Sequence, residues 1–177
     1  MKVLLVNGGP HEKGCTYTAL CEIEKELNSE GVETEIFWLG NKQVRGCIGC
    51  GGCSKNNGKC VFGDDVANTL IEKAESADGF IFGSPVHYAG ASGAITSFMD
   101  RVFYCGKQSG IDPFYLKPAA CICSARRGGT TATFDQLNKY FAITQMPIIS
   151  SRYWNMVHGS TPSDVLKDEE GLQTMSV

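Results

Sequence analysis

Residues 1–16, MKVLLVNGGPHEKGCT, decide how the rest of the chain is read. Lys2 to Asn7 is a short apolar run closed by Gly8-Gly9-Pro10, the pattern of a buried strand entering a tight turn. The stretch 16–29 then carries Leu20, Cys21, Ile23 and Leu27 at helical spacing, with Glu22, Glu24, Lys25 and Glu26 on the remaining faces, and stops at Gly31. Residues 32–39, β-branched and aromatic, read as a second strand. The alternation continues with a helix opened by Asp64-Asp65 and running to residue 77, acidic at its start as the helix dipole favours. A strand at 79–83, a helix at 92–103, a strand at 118–124, a helix at 131–141 and a strand at 146–153 complete it. Five strands alternating with helices predict an α/β domain with a parallel sheet and right-handed crossovers. Near-continuous apolar strands such as VLLV and GFIF suit a sheet covered on both faces.

A chain of 177 residues is the size of one domain, and no linker, repeat or low-complexity stretch divides 1–177. With 16 basic and 19 acidic residues the net charge is −3, so neither the whole chain nor any local run offers nucleic acid a basic surface. The first apolar run spans only four residues, too short for a signal-peptide core. No stretch approaches the ~20 apolar residues of a membrane helix. The expectation is a cytoplasmic protein with no membrane or nucleic-acid partner. The nine cysteines cannot all pair within one chain, and in a reducing compartment clustered thiols point to metal or redox chemistry.

In an open α/β sheet, ligands bind beyond the carboxyl ends of the strands. After the first strand, Gly9 to Thr16 spells G-x4-G-C-T, a P-loop in which Cys15 replaces the lysine that ATP phosphates require. The turn suits a single phosphate, held by backbone N–H groups and the Thr16 hydroxyl, or is a plain strand-to-helix turn. GSPVHYAG, 83–90, is a tight loop whose Val86, His87 and Tyr88 offer flat or apolar surface to a planar ring. SARRGGT, 124–130, adds polar contacts around Arg126 and Arg127. Jointly, the three loops suggest a mononucleotide with a large planar ring. A response regulator needs an acidic cluster after the first strand, where this chain has Gly8-Gly9-Pro10, and neither Cys15 nor Cys123 has the C-x5-R of a small phosphatase.

The one long irregular stretch, 40–63, holds Cys47, Cys50, Cys53 and Cys60 as C-x2-C-x2-C-x6-C. Loops of this length in compact domains are usually functional or disordered. Three thiols at intervals of three, with glycines letting the backbone wrap, share the C-x2-C-x2-C core of bacterial ferredoxins. Zinc ranks second, since its sites more often pair two separated knuckles; thiols without metal are the third reading. Cys21, Cys105, Cys121 and Cys123 read as small core residues. Cys15, at a helix N-terminus, reads as a thiol of lowered pKa.

NGGP…GCT, CIGCGGC…GKCVFGDD, FGSPVHYAGASGAITSFMDR, SARRGGT and RYWNMVHG together resemble the flavodoxin-like NADPH-dependent FMN reductase family, iron–sulfur flavoprotein branch. The resemblance implies a doubly wound five-stranded parallel sheet in the order 2-1-3-4-5. It implies an FMN-dependent oxidoreductase moving electrons between NAD(P)H or ferredoxin and a small acceptor such as a quinone or flavin, or a redox partner protein. By carry-over, Gly9, Pro10, His11, Gly14, Cys15 and Thr16 hold the FMN phosphate. Ser84, Pro85, Val86, His87 and Tyr88 line its ring, and Ala125, Arg127, Gly128 and Gly129 meet its polar edge. The flavin, not a catalytic side chain, carries the chemistry. Cys47, Cys50, Cys53 and Cys60 are implied ligands of a [4Fe–4S] cluster. Gly9 and Cys15 stand where the family usually has serine and asparagine, so phosphate binding is expected to lean on backbone N–H groups. The final helix of the family is expected to be missing or displaced, leaving an apolar sheet face for a second protomer in a homodimer or homotetramer. Competing readings are a flavodoxin-like electron carrier and a non-catalytic cysteine-knuckle binding module. Residues 153–159 are placed near the flavin edge or an interface.

Overall fold

In the computed structural model, which describes residues 1–63, 66–110 and 112–177, strands and helices alternate along the chain. In order they are β1 (Lys2–Asn7), α1 (Cys15–Ser29), β2 (Glu33–Trp38), a 3-10 turn (Gly52–Lys55), α2 (Ala67–Ser76), β3 (Gly79–His87) and β4 (Gly90–Ala91). There follow α3 (Gly93–Gln108), β5 (Ala119–Ala125), α4 (Thr130–Ile143), β6 (Met156–His158), α5 (Pro162–Val165) and α6 (Glu169–Met175). The sheet runs β2-β1-β3-β5-β6, every pair on that path parallel, and β4 adds a short antiparallel return on β3. With β4 set aside this is the flavodoxin-like order expected from sequence. The carboxyl ends of β1 and β3 are level, Asn7 pairing with Gly83.

Alternation along the strands sorts the core into two faces. Leu4, Val6, Phe80 and Phe82 point to the side covered by α2, α3 and α4, where Phe98, Phe103, Phe114 and Phe141 fill the space. The rings of Phe103 and Phe114 lie 4.7 Å apart and those of Phe82 and Phe141 5.5 Å apart, in the tilted contacts aromatic pairs prefer. Leu5, Ile122 and Val157 point the other way, onto Ala19, Leu20 and Ile23 of α1. Each fully buried side chain of this size contributes roughly 1.5–3 kcal/mol. Among the described residues no helix is long and apolar enough to cross a membrane.

Three sequence expectations change. The helix expected from Asp64-Asp65 is seen from Ala67; its first two residues lie outside the described residues. The helix expected over 92–103 runs on to Gln108, because Cys105 and Gly106 are buried and continue its apolar face. The fifth strand is not 146–153 but Met156–His158. Ile148 makes a single bridge to Ala119, flanked by Ala119 N–H to the Pro147 carbonyl and Ile149 N–H to the Ala119 carbonyl. The chain then loops out and rejoins β5 only at the Cys123–Met156 pair. Burial decides this: Val157 is fully buried, whereas Ile148 and Ile149 remain about half exposed.

Where the final crossover helix is expected to be missing, two short helices stand. A capping box of Thr161 and Asp164 starts α5, and Asp168 caps α6. Val165, Leu172 and Met175 then join Leu20 and Ile23 on α1. They leave a cavity of about 310 Å³ between α1, α6 and the sheet, lined by Leu27, Ile81, Ile122, Ile149 and Val177 among others.

Candidate functional site

The loops after β1, β3 and β5 are tied together at one edge of the sheet. Gly8 N–H donates to the Gly83 carbonyl at 2.9 Å, and Ser92 Oγ donates to the Gly8 carbonyl at 3.3 Å. Ser92 N–H in turn donates to Ser84 Oγ at 3.0 Å. Ala91 N–H reaches Gln136 of α4 at 3.2 Å. The tightest approach is at Gly129, where a Cβ would lie 2.5 Å from the Cα of Ala89 and 2.8 Å from the Val86 side chain. All three sequence-predicted segments therefore converge: Gly9, Pro10, His11 and Gly14; Ser84, Pro85, Val86, His87 and Tyr88; Ala125, Arg127, Gly128 and Gly129.

Side chains of Ser92, Thr161 and Asp168 cap α3, α5 and α6. At this edge α1 and α4 open on Gly14 and Gly129 with no side-chain cap, as α2 does on Val66. Uncapped first-turn N–H groups carry partial positive charge and seek an anionic or polar partner. On the hairpin after β3 stands Tyr88, wholly exposed and held with a φ of 50°, a conformation non-glycine residues seldom adopt. The hairpin that presents it is fixed by the pairs Val86–Ala91 and His87–Gly90.

Two predicted contacts are placed differently from their expected use. The Thr16 hydroxyl is buried and shares a 2.8 Å hydrogen bond with Ser124 Oγ, bracing α1 against β5. Cys15 turns its thiol to the Gly159 carbonyl, 3.8 Å away. Burial, followed by the nearby Asp164 carboxylate, pushes this thiol above its ordinary pKa, correcting the expectation that the helix end would lower it. Sequence reasoning missed Asn7 and Trp38. Asn7 Oδ1 accepts the Gly9 N–H at 2.9 Å and its Nδ2 donates to the Glu12 carbonyl at 3.0 Å. Trp38 Nε1 donates to the Gly9 carbonyl at 2.9 Å. Both sit at strand ends directly beside the loop, which was the available signal. Residues 153–159 divide: Gly159 joins this edge through Ala125 and Cys15, while the Tyr153–Trp154 ring pair lies half exposed before β6.

The cysteine loop forms a second centre. Cys47, Cys50, Cys53 and Cys60 line one recess together with Phe62, Arg101, Tyr104 and Cys105. Cys47 and Cys50 are exposed, Cys60 is half-buried and Cys53 is buried. The Cys47 sulfur accepts the Gly49 N–H at 3.5 Å, and Gly49 and Gly51 turn the chain at φ of 64° and 68°. Asn68 of α2 pins Cys60, accepting its N–H at 2.7 Å and donating to its carbonyl at 2.9 Å. The buried Arg101 guanidinium donates to the Arg45 and Phe62 carbonyls at 3.4 and 2.5 Å, joining the two rims, and Arg45 lies over the Phe62 ring at 4.5 Å. Among the described residues no three His, Cys, Asp or Glu side chains stand close enough to hold a single metal ion. Four soft thiols lining one recess are the donor type that iron–sulfur clusters take. Cys105, expected to be only a core residue, belongs to this group. Burial pushes its thiol well up, and Cys53, Cys60 and Cys47 add to the shift.

The sequence profile of the NADPH-dependent FMN reductase family matches residues 1–161. An iron–sulfur flavoprotein of Methanocaldococcus jannaschii is 33% identical, the alignment covering 98% of this chain and 91% of the relative. A second iron–sulfur flavoprotein of that organism is 27% identical, with 99% and 91% covered. Among solved structures, a flavone reductase superposes with a TM-score of 0.71 at 19% identity, over 99% of this chain and 61% of its own. A flavodoxin from the domain Archaea superposes with a TM-score of 0.62 at 12% identity, over 99% and 96%. At these identities the two structures bear on the fold alone.

Proposed function

We propose, from the premise that this chain belongs to the NADPH-dependent FMN reductase family, that it works in the cytoplasm as a cluster-bearing FMN oxidoreductase. In this reading it draws electrons from NAD(P)H or ferredoxin and passes them to a small acceptor such as a quinone or flavin, or to a redox partner protein. The observation that carries the reading is the meeting, at one edge of the sheet, of the glycine-opened ends of α1 and α4 with the hairpin that bears the exposed Tyr88. Bound FMN would supply the hydride-accepting and one-electron chemistry. The N–H groups of the loop 9–16 and of the first turn of α1 would hold its phosphate, with Asn7 and Trp38 fixing the loop. His11, exposed in that loop, would add a polar side chain beside the phosphate. Val86, His87 and Tyr88 would cover the ring, and the amides at Arg127, Gly128 and Gly129 would face its polar edge.

The second centre supports the same reading. Cys47, Cys50, Cys53 and Cys60 would hold a [4Fe–4S] cluster and release singly the electrons a flavin receives in pairs. The relatives named iron–sulfur flavoproteins favour this over zinc. The cavity beside α1, with its lining of Leu27, Ile81 and Ile149, favours a homodimer or homotetramer in which a second copy covers it. A monodisperse monomer in light scattering would remove that element.

An anaerobic absorption spectrum, recorded before and after NADPH, tests the function. Flavin bands, a broad iron–sulfur shoulder and bleaching of the flavin on NADPH are expected. Bands that bleach with reduced ferredoxin alone point to ferredoxin as donor; no flavin uptake from added FMN overturns the reading. Trp38→Phe keeps an aromatic side chain but removes the bond to the Gly9 carbonyl. Net hydrogen bonds of this kind are worth about 0.5–1.5 kcal/mol, so FMN affinity should fall by roughly three- to tenfold in a fluorescence-quenching titration.

A further inference from the structure

The cysteine loop is basic in a chain whose net charge is −3. Between Glu35 and Asp64 no carboxylate occurs, so all 19 acidic residues lie outside the loop, which holds Lys42, Arg45, Lys55 and Lys59. Lys42, Arg45 and Lys55 are exposed and make no ion pair among the described residues; Lys59 is engaged by Glu72 at 2.7 Å. Lys55 ends the 3-10 turn that carries Cys53. Arg45 stands at the cysteine recess itself, its guanidinium 4.5 Å over the ring of Phe62, which lines it. The same recess is lined by apolar side chains left in water: Ile48 is 65% exposed, Val61 50% and Tyr104 38%. Cys47 and Cys50, both exposed, line it with them. Apolar patches set among polar surroundings mark interaction sites.

We propose that this face is the docking surface for an acidic one-electron carrier protein. The proposal rests on the cluster reading above, since it seats the partner against the sulfurs that would hold the cluster. Charge decides the sign of the partner. Lysines and arginines without carboxylate neighbours attract an acidic surface, over a screening length of about 10 Å at 0.1 M ionic strength. Ile48, Val61 and Tyr104 then supply the area from which contact expels water. A small patch with charge around it gives a weak, quickly released complex, as a carrier that must leave after each electron requires. Nucleic acid fits less well: the four charges are scattered along the loop, and Ile48 and Val61 offer a base no ring to stack on.

Calorimetric titration of the whole, anaerobically reconstituted protein with an acidic ferredoxin tests the surface. Binding should be measurable at low ionic strength and fade at high. Lys42→Glu combined with Lys55→Glu should weaken it by roughly ten- to a hundredfold at low salt and by little at high salt. Ile48→Ser should weaken it by roughly three- to tenfold at either salt, through lost apolar contact. Lys139→Glu combined with Lys167→Glu makes the same change in net charge on exposed residues outside the loop, and should bind as the unsubstituted protein does. A basic cytochrome c of similar size should not bind; equal binding of it overturns the proposal. So does no binding of the ferredoxin, or equal loss with both lysine pairs. An oligomeric state that changes in light scattering with the loop pair means that a second copy occupies the face, and overturns the proposal as well. Iron content of the same sample reports on the cluster separately. An iron-bearing protein that ignores the ferredoxin overturns the docking surface alone; an iron-free one that still binds it through the loop lysines supports the docking surface and overturns the cluster.

Discussion

Gly129→Val should weaken FMN binding at least a hundredfold and destabilise the fold by about 2–6 kcal/mol. Two costs combine. Gly129 has a φ of 105°, and a β-branched residue forced into such a region costs about 1–3 kcal/mol. Its new side chain would also meet the Cα of Ala89, backbone that cannot rotate aside, and the Val86 methyl groups. Overpacking of this kind typically costs a further 1–3 kcal/mol. The strain is relieved most easily by displacing the hairpin that carries His87 and Tyr88, so the flavin site suffers more than the core. Urea unfolding and FMN titration measure the two effects separately. Gly31→Val is the control, because Gly31 also holds a positive φ, 76°, but nothing lies within 4 Å of a Cβ there and it stands outside the flavin loops. Equal loss of FMN affinity in Gly31→Val would remove the argument from close approach.

Arg101→Met should unfasten the cysteine loop without unfolding the sheet. The guanidinium bridges two carbonyls separated in sequence by the whole cysteine motif, Arg45 before it and Phe62 after it. Hydrogen bonds from charged groups are worth about 1.5–3 kcal/mol each, and a methionine in the same space returns the carbonyls to water. Both carbonyls belong to the cysteine loop and its rim, and neither to a strand of the sheet. The loss should therefore be local. Hydrogen exchange over residues 45–62 should quicken by roughly ten- to a hundredfold, and iron retention after reconstitution should fall, while the exchange of β1 and β3 amides stays unchanged. Arg101→Lys, with one ammonium for two distant carbonyls, should restore only part of the protection. Uniform quickening across the chain would instead mean that Arg101 holds up the core.

The legible parts of the sequence were those with a strong local pattern. Runs such as VLLV and GFIF announce buried parallel strands because every residue is apolar, and Gly31 announces the end of α1. The flavin-type loops were legible as segments, since each follows such a strand. The last strand was not, because Ile148-Ile149 has higher strand propensity than Met156-Val157-His158. Tertiary burial against α1 and α5 outweighed propensity. The direction of side chains was also beyond reach. Nothing local says that Thr16 bonds Ser124, far along the chain, or that Cys15 faces Gly159. Arg101 and Cys105 stand at helical spacing on α3, within and just after a quoted motif, but their service to a loop some 40–60 residues earlier becomes visible only once α3 is packed beneath it.

The loop-out between Ile148 and Met156 has a bearing on how these molecules keep apart. A long flat strand at a sheet border is a template on which other chains assemble into aggregates. Here β6 offers three residues, and the chain before it turns away after a single bridge. At the opposite border, β2 carries Glu33 and Glu35, both engaged by Lys2, with Lys73 also on Glu35. Neither border is fit for continuation of the sheet into a neighbour. Copies of this protein that meet at high concentration are thereby steered away from fibril-like stacking.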